Sequence, residues 1–140
     1  MLIYNLDIQF GLGRIGCTKE PMALKEFCEI VKHKLNTSHV RVVGDINKNI
    51  SKVAVCGGAG SDLIHAAAFC GAHVLVTGDV KYHEAIDAKE VGLAIIDAGH
   101  FSTENILLPV LKEHLEQQTK LLNKQVEISI YKDNDPFVII

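Results

Sequence analysis

Two stretches of this chain place an imidazole and a carboxylate four residues apart beside a glycine turn. The first, Asp97-Ala98-Gly99-His100-Phe101-Ser102-Thr103-Glu104, puts His100 and Glu104 on one face if a helix starts there. A nitrogen and a carboxylate oxygen from one helical face form half of a zinc, iron or manganese site. Glu104 has a second reading as a carboxylate favoured by a helix N-terminus. Asp97 either completes the ligand set or holds His100 from behind. The other stretch, Thr77-Gly78-Asp79-Val80-Lys81-Tyr82-His83, sets Asp79 four residues before His83. They share a face if the helix begins at Asp79. Otherwise Asp79 is an N-cap and His83 an ordinary surface or core histidine. A third loop, Gly57-Gly58-Ala59-Gly60-Ser61, has little side chain over its backbone N–H groups. It is either an anion cradle at a helix N-terminus or a tight strand-to-helix turn.

The elements that carry these loops follow from the apolar pattern. Val53-Ala54-Val55-Cys56, Val74-Leu75-Val76-Thr77 and Leu93-Ala94-Ile95-Ile96 each end in one of the three loops and lead into a helix-like segment. Continuous rather than alternating apolar runs predict strands covered on both faces, as in a parallel sheet. Right-handed crossovers then bring the three strand ends to one edge, where ligands bind in open α/β sheets. The helices fall at about 62–70, at about 80–90 and from near Ser102. Pro109 lies too deep for a first turn of that last helix and predicts a kink or restart.

Upstream, residues 2–10 read as a strand followed by the turn at 11–16. Pro21 sits in the first turn of a helix carrying Leu24, Phe27, Cys28, Val31 and Leu35 at steps of three and four. Val40, Val42 and Val43 predict a short strand ending at Gly44. Downstream, Val126, Ile128 and Ile130 alternate with polar residues at the strand period. The apolar ending 136–140 is expected to pack on the body or on another subunit. Gly11-Leu12-Gly13-Arg14-Ile15-Gly16 satisfies G-x-G-x-x-G, but a dinucleotide fingerprint must open directly into a helix, and this turn does not. The loop at 57–60 fits that context better, with Asp79 at the spacing of a ribose-binding acid, so nucleotide binding there stays open.

Composition narrows the class. The 140 residues are 48% hydrophobic, enough to bury a core, and are read as one α/β domain with a mixed, largely parallel sheet and helices on both faces. Fourteen Lys and Arg stand against 17 Asp and Glu, so no basic footprint for nucleic acid or anionic lipid exists. No apolar run approaches the roughly 18 residues of a membrane span. Cys17, Cys28, Cys56 and Cys70 show no CxxC spacing, and no secretory core follows Met1. A reducing cytoplasm is the expected compartment. His33, His39, His65, His73 and His114 read as structural or solvated residues. No G-x-S-x-G elbow appears.

Taken in order, residues 11–16, 40–44, 52–61, 77–83 and 97–104 resemble blocks of the C-terminal part of the Nif-three-like family. Its members are often labelled dinuclear-metal-centre hexameric proteins or type 2 homologues of GTP cyclohydrolase I. The blocks run from about Leu2 to Val126. The resemblance implies an α/β fold, a ring-shaped homo-oligomer and a pair of divalent metals at the inner rim. By position, His100 and Glu104 resemble the C-terminal metal ligands, and His83 and the glycine loop resemble residues lining the same pocket. Metal-assisted hydrolysis is the implied chemistry. Asp79 and His83 are then the acid/base candidates. Gly57, Gly58, Gly60, Ser61, Thr77, Gly78 and Lys81 are the candidates for holding a nucleotide or other phosphorylated small molecule. Family members also carry an N-terminal half with a paired histidine and an aspartate that complete the two-metal site. Nothing in this sequence corresponds to it, so the chain is expected to be either a part of a longer protein or a shortened member. A non-catalytic assembly or regulatory module and a metal-free nucleotide binder are the competing readings.

Overall fold

The computed structural model describes residues 2–5 and 8–139, and of residues 2–5 and 8–10 the backbone alone. The chain divides into two compact units, Met1–Thr103 and Glu104–Ile140, with the division falling inside a helix.

The first unit is built on a five-stranded sheet of β3 (Arg14–Ala23), β4 (Arg41–Val43), β5 (Asn49–Ala59), β6 (Val74–Gly78) and β7 (Ala94–Asp97), in the order β3-β5-β6-β7-β4. β5, β6 and β7 run parallel, and the two edge strands pair antiparallel to them. Parallel neighbours require crossovers, which α2 (Ile64–Phe69) and α3 (Tyr82–Glu90) supply, while α1 (Leu24–Leu35) joins β3 to β4. The apolar runs have the predicted cause. Val74, Val76 and Ile96 face a core shared with Leu24, Cys28 and Val31 of α1, whereas Leu75 and Ile95 face one shared with Ile64, Ala67 and Ala88 of α2 and α3. Successive strand residues point to opposite faces, so a strand covered on both sides needs apolar residues throughout. Leu75 and Ile95 are at most 1% exposed, each contributing about 1.5–3 kcal/mol by burial.

The hairpin of β1 (Leu2–Asn5) and β2 (Ile8–Gly11) replaces the single strand expected over 2–10, of which residues 6 and 7 lie outside the described residues. Pro21 does not open α1. It lies inside β3, an edge strand, where the pairing with β5 is interrupted between Cys17 and Met22. A residue with no N–H is tolerated there because no ladder bond is lost. The turn at 11–16 thus leads into a strand, as no dinucleotide fingerprint would.

In the second unit α5 (Leu107–Leu121) follows α4 (His100–Asn105) after a break at Ile106. Pro109 is the third residue of α5, so the predicted restart places it in a first turn. Residues 126–130 form no strand. The period is present, but the described residues of this unit include no second strand to accept its hydrogen bonds. Phe137, Val138 and Ile139 are exposed. No helix among the described residues is long and apolar enough to cross a membrane.

Candidate functional site

The parallel order β5-β6-β7 brings the C-terminal ends of three strands together, and side-chain hydrogen bonds join the loops that follow them. Thr77, fully buried at the end of β6, donates from Oγ1 to the Gly58 carbonyl (3.0 Å) and accepts from the Gly60 N–H (2.9 Å). The Gly58 N–H donates to Oγ1 of Thr103 on α4 (2.9 Å). Two of the N–H groups that the sequence offers for an anion are therefore spent on threonine hydroxyls. Close packing also needs glycine at this edge. A Cβ on Gly78 would lie 2.7 Å from the carbonyl carbon of Gly99 and the nitrogen of His100, so the loops after β6 and β7 touch through bare backbone.

The pairing expected between Asp79 and His83 is not formed. α3 begins at Tyr82 with Lys81 as its N-cap, three residues later than a shared face requires. Asp79 neither caps that helix nor lies on it; its backbone is left-handed, with φ 56°. Its carboxylate Oδ2 instead stands 2.7 Å from Nδ1 of His100, the first residue of α4. A carboxylate only accepts, so Nδ1 carries the hydrogen. An imidazole fixed this way is the arrangement that orients a ligating or proton-transferring histidine. Both side chains are about half exposed, leaving the pair open to solvent.

Asp97 plays a different part from the one expected of it. Its side chain is buried and accepts the Val80 N–H on Oδ2 and the Gly99 N–H on Oδ1, each at 3.1 Å. The Arg41 guanidinium also donates to Oδ2. Both of its oxygens accept from donors of the surrounding fold, two on Oδ2 and one on Oδ1. Arg41 is a residue the sequence reading missed. It stands opposite Asp97 across the β4–β7 register, a pairing 56 positions apart that no local signal announces.

The remaining candidates are more dispersed. His83 is exposed on α3, its ring edge-to-face with Tyr82 at 5.7 Å. The Lys81 N–H donates to Oε2 of Glu84 at 2.7 Å, and its exposed ammonium lies 3.7 Å from Oε1 of the same residue. That backbone bond, with the Ser61 hydroxyl and the Lys81 charge assisting, holds the Glu84 carboxyl below its usual range. Ser61 is thus turned toward α3. Below the glycine loop, burial pushes the Cys56 thiol up. Glu104 is exposed, one turn along α4 from His100. Among the described residues, no three His, Cys, Asp or Glu side chains are grouped so as to hold a metal ion.

The chain as a whole has relatives among known proteins. A family model described as Duf34/NIF3 (NGG1p interacting factor 3) matches residues 3–136. A Listeria innocua protein described as a GTP cyclohydrolase 1 type 2 homolog is 39% identical over 139 residues, 96% of this chain and 37% of its own length. A Bacillus subtilis protein of the same description is 41% identical over 135 residues, 93% of this chain and 35% of its own. The crystal structure of a Bacillus cereus protein related to NIF3 superposes with a TM-score of 0.91 at 39% identity, over 95% of this chain and 37% of that one. The chain spans about a third of the length of these Listeria and Bacillus relatives.

Proposed function

The chain belongs to the Duf34/NIF3 family, and from that premise we propose that it supplies one side of a divalent-metal-dependent hydrolytic site acting on a nucleotide or other phosphate-containing small molecule. The observation that carries this reading is the 2.7 Å bond between Asp79 and His100 at the C-terminal edge of the parallel sheet. Ligating histidines almost always give their second ring hydrogen to a carboxylate or carbonyl, and Asp79 offers that partner to His100. In this proposal His100 and Glu104 are ligands for zinc, iron or manganese, and His83 is an acid/base candidate on the adjoining helix. Asp79 acts through His100.

The chain's own donor set does not fit a whole metal site, since the described residues contain no group of three ligands. The proposal therefore assigns the missing ligands to polypeptide other than these residues, from a longer chain or from further copies in a ring-shaped homo-oligomer such as a hexamer. The four free cysteines favour a reducing, cytoplasmic setting. A second reading, a non-catalytic assembly or regulatory module, is favoured by the same incomplete set and by the Gly58 and Gly60 N–H groups being bonded to Thr103 and Thr77.

Elemental analysis of the protein expressed from its whole reading frame separates the two. Stoichiometric zinc, iron or manganese that is lost in His100→Ala is the expected result. Negligible metal in both proteins, or metal unchanged by the substitution, would reject the metal reading in favour of the assembly module.

A further inference from the structure

We infer that Arg41 and Asp97 form a positioning pair that sets the Asp79–His100 hydrogen bond through the backbone on either side of it. The geometry is specific. The Asp97 carboxylate accepts the N–H of Val80, the residue after Asp79, and the N–H of Gly99, the residue before His100. One buried side chain thus holds the backbone immediately beside each member of the pair. Arg41 Nη2 donates both to Oδ2 of Asp97 and to the Val80 carbonyl (2.8 Å), so both polar backbone atoms of Val80 are held. Of the two anchored bends, the one at Asp79 is not one the chain relaxes into unaided. Asp79 sits at φ 56° and Gly99 at φ 81°, and a left-handed aspartate needs surrounding contacts to keep it there.

Charge explains why the pair exists as a pair. Asp97 is 6% exposed, and a carboxylate so buried requires donors on its lone pairs and a cation near it. Two backbone N–H groups supply part of that need, and the guanidinium, with donors in a planar fork, completes it while reaching Val80. Without Arg41, Asp97 gains by turning toward water, releasing Val80 and Gly99 together. The Arg41 side chain is itself 69% exposed, so truncating it opens no hole in the core.

A purely structural ion pair would affect stability and leave the histidine ring alone, so the decisive readout is the ring. Nδ1 of His73 accepts from the Ser51 and Lys52 N–H groups at 3.0 and 3.3 Å, which puts its hydrogen on Nε2. His100 has the opposite tautomer, with the hydrogen on the Nδ1 facing Asp79. His73 is therefore an internal control. Ring nitrogen–proton correlation spectra of the chain at pH 8 are expected to show the two opposite patterns. In Arg41→Ala the His100 nitrogens should move toward tautomer-averaged shifts while His73 keeps its pattern, with Arg41→Lys falling between. A wild-type His100 pattern in Arg41→Ala, with His73 intact, would overturn the inference. Should Arg41→Ala lose both patterns by unfolding, Arg41→Lys decides, and a wild-type His100 pattern there overturns it equally.

The functional meaning of the positioning rests on the proposed metal reading, which has its own readout. Manganese titration of the protein from its whole reading frame should show affinity about ten- to a hundredfold weaker in Arg41→Ala. A ring-pattern change without any manganese binding by the wild type would leave the positioning intact and remove the metal reading.

Discussion

Asp79 and His100 lie 21 residues apart in sequence, yet Oδ2 of the first and Nδ1 of the second are 2.7 Å apart. Neither residue reaches the other from a shared helix. The contact is made where the chain leaves adjacent parallel strands, β6 and β7, at the same edge of the sheet, and the two segments approach closely because Gly78 has no side chain to hold off the backbone of Gly99 and His100.

The left-handed backbone at Asp79 separates two substitutions that remove the same charge. Asparagine tolerates φ near 56° and can still accept the imidazole hydrogen, so Asp79→Asn should stay within about 0.5 kcal/mol of the parent. Alanine has the Cβ penalty without the compensating polar group, and Asp79→Ala should lose about 1–2 kcal/mol. Urea denaturation of the two variants checks this. Equal losses would show that the backbone conformation there is not maintained in solution.

Thr77 makes the strongest structural prediction in the site, because it is fully buried and its hydroxyl serves both Gly58 and Gly60. Thr77→Val keeps the shape and leaves a buried carbonyl and a buried N–H without partners, each costing about 1–3 kcal/mol. Thr77→Ser keeps the hydroxyl and gives up only a methyl group, about 1 kcal/mol. Denaturant midpoints that rank valine above serine would contradict the assignment of Thr77 as the link between the two loops.

The fold was largely legible for a reason, and the site was legible only where that reason applied. β6 and β7 announce themselves because strands buried on both faces need unbroken apolar runs, and helix α1 because its buried face recurs at three and four. Those patterns fix the sheet edge and so bring together the strand ends and turns at 57–61, 77–81 and 97–100. Which side chain then meets which is decided by loop backbone, and the sequence carries no period there. Local spacing makes a partner for Asp79 visible only at His83, four residues on, whereas its actual partner comes through the neighbouring strand. Arg41 was invisible for the same reason. Pro21 and residues 126–130 fail differently. Each matches a local rule, first-turn proline or strand alternation, that tertiary pairing overrides.

Titration makes a prediction at two ends of the pH scale. The Lys81 N–H lowers the Glu84 carboxyl, so the unfolded chain binds that proton at higher pH than the folded one. Its stabilisation is present above the ordinary carboxylate range and is lost as pH falls from that range through the lowered value of the folded chain. Glu84→Gln should therefore cost about 0.3–1 kcal/mol at pH 7 and progressively less as pH falls below the ordinary carboxylate range, read from urea midpoints at each pH. Burial raises the thiols of Cys28 and Cys56, which gives the opposite sign at the alkaline end. The unfolded chain loses those protons first, and stability falls as pH climbs past the ordinary thiol range. Alkylation of the folded protein by iodoacetamide at pH 8 should label the exposed Cys17 and Cys70 before Cys28 and Cys56, as mass spectrometry of the digested chain would show.

Gly78 and Gly92 test whether the meeting of the loops is a matter of space or of backbone freedom. A methyl group on Gly78 would lie 2.7 Å from backbone atoms of Gly99 and His100, which cannot swing aside as a side-chain end could. Gly78→Ala must push the start of α4 away from β6, at about 1–3 kcal/mol, and carry the His100 imidazole off Asp79. Gly92 has φ 74° with nothing within 4 Å of the added carbon, so Gly92→Ala should cost only the left-handed strain, about 1 kcal/mol, and leave the His100 ring signals where they were. The decisive comparison is spectroscopic rather than thermodynamic. If Gly78→Ala folds with the His100 nitrogens unmoved, the close approach of the two loops is not what brings the carboxylate and the imidazole together.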